Sequence, residues 1–343
     1  MTVETFELAP GYRIPRLIRG GWQLAGDHGA VDRQRAIADM AGFVAAGIDV
    51  VDCADIYTGV EALIGEFRAT PAGSRLRVHT KFVPDLDALA RVDAAYVRRV
   101  VERSCQRLGT ERLDLVQFHW WDYAEPGMVQ AAMQLAALQR EGLVAHVGAT
   151  NFDTPQAAAM LDAGVPLVSM QVQYSLLDRR PANRLAALCA RSGMRLLCYG
   201  TLAGGFLDER WLGAPEPDAE TLGNRSLVKY KLVIDDFGGW QRLQGLLTLL
   251  ARIGARHGVG IAAVATRWVL DQPQVAAAII GARYADRLPQ TLQVFDFALD
   301  AQDHESIGML LALCPGPQGD TYTLERDREG RHGRIMKYNL NKG

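Results

Sequence analysis

Asp52, Tyr57, Lys81 and His119 are the residues of this chain whose types and spacing suit chemistry. Three of them close short apolar runs: Asp49-Val50-Val51-Asp52, Leu76 to Lys81, and Leu113 to His119. Tyr57 follows Asp52 by five residues. If the runs are neighbouring parallel strands, a carboxylate, a phenol, an ammonium and an imidazole converge on one rim of a sheet. Such a set delivers a proton to an oxygen that is becoming negative. That is the demand made by hydride transfer from a nicotinamide to a carbonyl.

The elements that must position this set follow from the apolar pattern. β-rich runs occur near 16–22, 49–52, 76–80, 113–118, 144–147, 167–171, 195–199 and 276–280. Helical periodicity lies between them, as in Asp32–Ala46, Val60–Arg68, Asp93–Leu108, Met128–Glu141, Pro155–Ala163, Pro181–Ser192 and Gly260–Leu270. Asp93 and Thr154 are the expected N-caps of two of these helices. Strands alternating with helices imply a parallel sheet, and eight of them close a (β/α)8 TIM barrel. The rival, a doubly wound open sheet, wants GxGxxG after an early strand for a dinucleotide, and none is present. The expected organisation is a single barrel domain over 1–343. An N-terminal hairpin at residues 5–15 covers the barrel floor, a long insertion spans 200–238 after the seventh strand, and residues 320–343 form a C-terminal tail.

Composition narrows the function classes. Charged residues make up 22% and the net charge is −2, so nothing pulls the chain toward nucleic acid or an anionic membrane. Apolar stretches are too short to span a bilayer. Five cysteines without a CxxC pair fit a reduced, cytoplasmic compartment. The seven histidines form no HExxH cluster, so no metal is expected. Only five of the 37 basic residues are lysines, which sets Lys81 apart. An ammonium is a compact charge whose pKa shifts readily, unlike a guanidinium.

Gly47-Ile48-Asp49-Val50-Val51-Asp52-Cys53-Ala54-Asp55-Ile56-Tyr57 resembles the aldo-keto reductase signature around a catalytic tyrosine. Thr80-Lys81, Gln117-Phe118-His119, Gly148-Ala149-Thr150-Asn151-Phe152, Gln171 and Tyr199-Gly200-Thr201-Leu202-Ala203-Gly204 are similar to further blocks of that superfamily, in order. The resemblance runs over about residues 14–300. It implies Tyr57 as general acid, Lys81 lowering the phenol's pKa, Asp52 paired with Lys81, and His119 hydrogen-bonding the carbonyl oxygen. It also implies cofactor contacts. Thr150, Asn151 and Gln171 would hold the carboxamide, Tyr199 would stack on the nicotinamide, and Gly21 and Trp22 would line its pocket. Gly200, Leu202, Gly204 and Arg225 would reach the pyrophosphate. Gly281, Arg283, Arg287 and Gln290 would hold the adenosine end, with the two arginines clamping a 2′-phosphate. NADP(H) is the preferred cofactor and NAD(H) the alternative. Gln290-Thr291 departs from the Glu-Asn usual at this point in the superfamily.

Trp22, Trp120, Trp121 and Tyr123 are candidates for an aromatic substrate pocket, suited to aromatic or bulky carbonyls. The expected partner is a small carbonyl or alcohol. The charged tail is expected either to be solvated or to fold over the barrel rim and shape the pocket. The competing function is a cofactor-sensing regulatory subunit of the same fold with little turnover.

Overall fold

The computed structural model describes residues 2–25, 31–218, 222–282 and 284–341. Two antiparallel strands open the chain, β1 (Thr5–Ala9) and β2 (Tyr12–Pro15). Eight parallel strands then close into a barrel: β3 (Leu17–Gly20), β4 (Val50–Asp52), β5 (Arg77–Phe82), β6 (Leu113–Phe118), β7 (Val144–Thr150), β8 (Leu167–Gln173), β9 (Arg195–Tyr199) and β10 (Val275–Gly281). β10 pairs back onto β3, Ala278 opposite Leu17 and Ile280 opposite Arg19. Each strand lies within the run that the sequence pattern marked or extends it by a few residues.

The hairpin closes the bottom. Leu8 and Ile14 are buried against Ile18, Val50, Leu115 and Leu197 of the barrel interior. Burying an aliphatic side chain of this size contributes about 2 kcal/mol. A floor of this kind therefore stabilises the strands whose opposite ends carry the polar set.

Six helices alternate with the strands up to β9: α1 (Arg33–Ala45), α2 (Val60–Arg68), α3 (Ala94–Leu108), α4 (Met128–Arg140), α5 (Thr154–Asp162) and α6 (Arg184–Ser192). Asp32 and Asp93 cap α1 and α3 by accepting from Arg35 N and Tyr96 N. The cap of α5 is Asp153, not Thr154: its carboxylate accepts from Gln156 N, and Thr154 is the first helical residue. The carboxylate reaches the orphan amide that a residue already helical cannot serve.

The insertion is partly helical. α7 (Arg225–Phe237) lies inside it, followed by α8 (Trp240–His257) and α9 (Ile261–Leu270). Three further helices follow β10: α10 (Leu288–Leu292), α11 (Ala301–Ala312) and the short α12 (Thr323–Arg326). No single described helix is long and apolar enough to cross a membrane. The apolar pair α8 and α9 is bent by 92°.

Candidate active site

Parallel register and two-residue alternation build the site. Asp52 on β4 stands opposite His79 on β5, so Lys81, two residues on, shares its face one step higher. Lys81 in turn stands opposite Gln117 on β6, and His119 continues that face. Lys81 Nζ donates to Asp52 Oδ2 at 2.7 Å and to the Cys53 carbonyl at 2.7 Å. Both charged residues are buried, at 6% and 5% exposure. Asp52 Oδ1 accepts from Gln117 Nε2 at 2.9 Å and from Gln171 Nε2 at 2.5 Å. The carboxylate is thus fully used in holding the ammonium, as a buried charge requires.

Tyr57 sits on the loop after β4, its ring centroid 5.2 Å from Lys81 Nζ. Burial raises the phenol's pKa and Lys81 lowers it; burial wins, and the group is pushed up to about 12. The expected net lowering is therefore absent, because desolvation of the phenolate outweighs one ammonium. Tyr57 is held as a protonated acid. Burial would also discharge Lys81, but Asp52 and Tyr57 outweigh it and keep its pKa above the ordinary value.

His119 departs from expectation in a second way. Its Nδ1 lies 2.9 Å from the Thr150 carbonyl oxygen, which can only accept, so Nδ1 carries the proton. Burial first, with Arg326 and Lys81 adding to it, lowers the imidazole's pKa to about 3. The ring is neutral, and its buried Nε2, which has no partner, is an acceptor. It cannot donate to a carbonyl oxygen in this state.

The residues matched to cofactor contacts separate into groups. Thr150 and Gln171 are register partners on β7 and β8, and Asn151 follows directly. Thr150 Oγ1 donates to the Gln171 carbonyl at 3.2 Å. Both amide hydrogens of Gln171 have acceptors in Asp52 and Gln117, which leaves its carbonyl oxygen as the group it can offer. Asn151 adopts a left-handed backbone, φ 61°, and its Oδ1 accepts from the Tyr199 hydroxyl at 2.9 Å. Gly21 N donates to the Asp52 carbonyl at 2.7 Å, and a Cβ there would meet that oxygen at 2.8 Å. Trp22 packs beside Tyr57, ring centroids 5.0 Å apart.

Gly200 and Gly204 have a different neighbour from the one expected. A Cβ on Gly200 would collide with the hydroxyl of Tyr230 on α7, and one on Gly204 would meet its ring at 2.6 Å. Glycine is needed there because an aromatic of the insertion lies against the loop. Leu202 is half-buried between them, and Arg225 opens α7. Arg287 is 74% exposed and pairs with Asp208 at 2.8 Å. Gln290 is exposed on α10, Gly281 ends β10, and Arg283 lies outside the described residues.

The four aromatics do not form one wall. Trp120 is fully buried, its Nε1 donating to the Glu125 carbonyl and its ring over Gly127, so it is core and not pocket. Trp121 meets the His119 ring edge-on at 4.4 Å and Tyr338 at 5.2 Å. Tyr123 is stacked on Phe152 on one side and covered by the Arg326 guanidinium, 3.9 Å away.

The tail supplies residues that the sequence did not mark. Tyr322, in a left-handed conformation at φ 60°, puts its ring 5.7 Å from His119. Glu325 accepts from Arg180 Nη1 and Nη2 at 3.1 and 3.0 Å, and Arg180 also donates to Asp178 at 2.7 and 2.9 Å. All three are buried. Burial alone would raise the pKa of Glu325, but Arg180 and then Lys229 pull it down to about 2. A depressed folded-state pKa contributes stability that is present above the unfolded value, near 4.3 for glutamate. That stability is lost as pH falls toward 2. Acid unfolding of Glu325→Gln, followed by circular dichroism, should lose part of the wild-type slope in that window. An unchanged slope would remove Glu325 from the account.

An eight-stranded parallel barrel with a buried tyrosine, lysine, aspartate and histidine at its C-terminal rim defines a class of enzyme-like (β/α)8 proteins. The chain belongs to the aldo/keto reductase family, whose model matches residues 16–312. It is 26% identical to the aldo-keto reductase YhdN of Bacillus subtilis, covering 93% of this chain and 97% of that protein. It is 30% identical over 258 residues to flagellar radial spoke protein 5 of Chlamydomonas reinhardtii, and that match spans about half, 49%, of the relative's length. Its fold matches the glycerol dehydrogenase of Gluconobacter oxydans with a TM-score of 0.76 at 23% identity, over 94% of this chain and 98% of that one.

Proposed function

We propose that the chain is an NADP(H)-dependent carbonyl reductase in which Tyr57 is the general acid. The observation that carries this is the buried Lys81–Asp52 pair beneath a phenol that burial keeps protonated. Tyr57 gives its proton to the oxygen as charge develops there, and Lys81 stabilises the phenolate left behind. Asp52, fixed by Gln117 and Gln171, prevents the ammonium from moving to follow that charge. His119 accepts a hydrogen bond from the hydroxyl once the oxygen is protonated.

The residues present fit a nicotinamide. Tyr199 offers a partly exposed ring, and at adjacent strand ends Asn151 offers its side-chain amide and Gln171 its side-chain carbonyl oxygen. The buried Gln173 Oε1 close by has no partner. The nicotinamide, when bound, supplies the hydride. Arg287 supports the NADP(H) preference: it is exposed, its ion pair with Asp208 is a surface one, and such a pair contributes little and exchanges readily for a phosphate. Trp22 packs beside Tyr57, and Trp121, in contact with Tyr338, packs against His119, so aromatic rings flank both groups and suit bulky carbonyls.

Fluorescence titration of the purified protein with NADPH and NADH, followed by a panel of aldehydes and ketones, tests the reading. We expect NADPH to bind about tenfold more tightly, a difference of about 1.4 kcal/mol, and aromatic carbonyls to turn over. Faster initial rates with NADH would reverse the cofactor assignment. Tight binding without turnover across the panel would replace the reductase by a cofactor-sensing protein.

A further inference from the structure

One guanidinium joins both strand ends that hold His119. Arg326, at the end of α12, donates from Nη1 to the carbonyls of Trp120 and Trp121, each at 2.7 Å. From Nη2 it donates to the Asn151 carbonyl at 2.9 Å. Trp120 directly follows His119, and Asn151 directly follows Thr150, whose carbonyl takes the His119 proton. The distance between those two segments sets the His119–Thr150 hydrogen bond. A planar guanidinium with fixed N–H directions holds such a distance, whereas an ammonium is a point charge with rotatable donors.

The guanidinium is itself held. Its face covers Tyr123 at 3.9 Å, and the preceding residue, Glu325, is locked by Arg180. These contacts link positions 206 and 175 residues apart in the chain. Placing a permanent cation here also opposes a second positive charge on the imidazole. The charged groups acting on His119 are Arg326 from the tail and Lys81 from β5, while Tyr322 and Trp121 face its ring edge.

We propose that Arg326 is a positioning residue: it clamps the ends of β6 and β7 and so fixes His119 as the neutral, Nδ1-protonated tautomer that presents Nε2 as an acceptor. Its kinetic consequence rests on the reductase reading; its effect on the imidazole does not.

The experiment is 15N NMR of the histidine rings in the full chain, with a His119→Phe variant to assign the signal, alongside steady-state kinetics. Wild type should show His119 neutral and protonated at Nδ1 from pH 8 down to about 4, a unit above the pKa of about 3 to which burial lowers it. In Arg326→Ala the ring should protonate about one pH unit or more higher, as expected when a nearby like charge is removed. Turnover should fall on the order of a hundredfold, the size of effect that misplacing a reacting group produces, with NADPH affinity unchanged. Added guanidinium should restore part of it. Arg326→Lys keeps the charge without the fork, so it should leave the ring neutral and still lose turnover. Arg334→Ala, which removes an exposed surface pair with Glu329, is the control and should behave as wild type. Unchanged His119 signals in Arg326→Ala, or full turnover in Arg326→Lys, would overturn the proposal. A turnover loss that guanidinium does not rescue, with cofactor affinity falling in parallel, would do the same by showing only general loosening. If wild type itself reduces no carbonyl, the reductase reading fails, and the NMR arms still decide the role of Arg326.

Discussion

Tyr57→Phe should lose about a thousandfold in turnover, within the usual range for removing a general acid, while binding NADPH as wild type does. The structure shows why the loss is confined to chemistry. Lys81 keeps its bonds to Asp52 Oδ2 and the Cys53 carbonyl when the phenol hydroxyl is removed, so the buried ion pair is not exposed or broken. The ring itself still packs on Trp22. Single-turnover reduction of an aromatic aldehyde, followed at the nicotinamide absorbance, separates the proton step from product release. A variant within tenfold of wild type would show that the proton comes from elsewhere. In the reverse direction, a phenol pushed up to about 12 must first lose its proton, so wild-type alcohol oxidation should rise with pH well past neutrality.

The largest expected effect on stability is at Arg180. Its guanidinium stands between Asp178 and Glu325, all three buried. Burial opposes its charge, but the two carboxylates outweigh that and hold it firmly protonated. Arg180→Met would leave two buried carboxylates without the guanidinium that satisfies them. Breaking a buried pair in this way costs about 3–5 kcal/mol, roughly 5 °C in Tm for a chain of this size. The deficit should shrink as pH falls toward 5, because unpaired buried carboxylates take up protons readily. Thermal melts at pH 8 and pH 5 would measure both effects. A Tm within 2 °C of wild type at both values, compared with the order of magnitude expected for buried pairs, would mean the cluster is not an energetic anchor.

The barrel was legible because its strands are short apolar runs, each bounded by helical periodicity. Placing Asp52, Lys81 and His119 on one rim then needed only the two-residue alternation of a strand. Local pattern did not extend further. Trp120 and Trp121 are sequence neighbours just past β6 and both are buried, yet one ring lies over Gly127 and the other meets the His119 ring. Thr154 resembles a cap as well as Asp153 does, and only the backbone decides between them. Gly200 and Gly204 read as a place for close approach, which they are, but the approaching group is Tyr230 from a helix in the insertion. Nothing in the Asp178-Arg179-Arg180 stretch announces a partner at Glu325, 145 residues away. The pKa values of Tyr57 and His119 depend on burial, which pairwise reading of charges leaves out.

The contacts of the tail bear on the order in which the molecule assembles. Glu325 and Arg326 meet residues made long before them, and Asn341 closes on Asp85 and Val83. The strand that closes the barrel spans as much chain, Ala278 standing opposite Leu17, so it is chain order that sets the tail apart: its residues follow β10. During synthesis the eight strands can close while these residues are still within the ribosome. The barrel is therefore expected to exist for a time as a folded but catalytically unfinished body, its His119 not yet fixed.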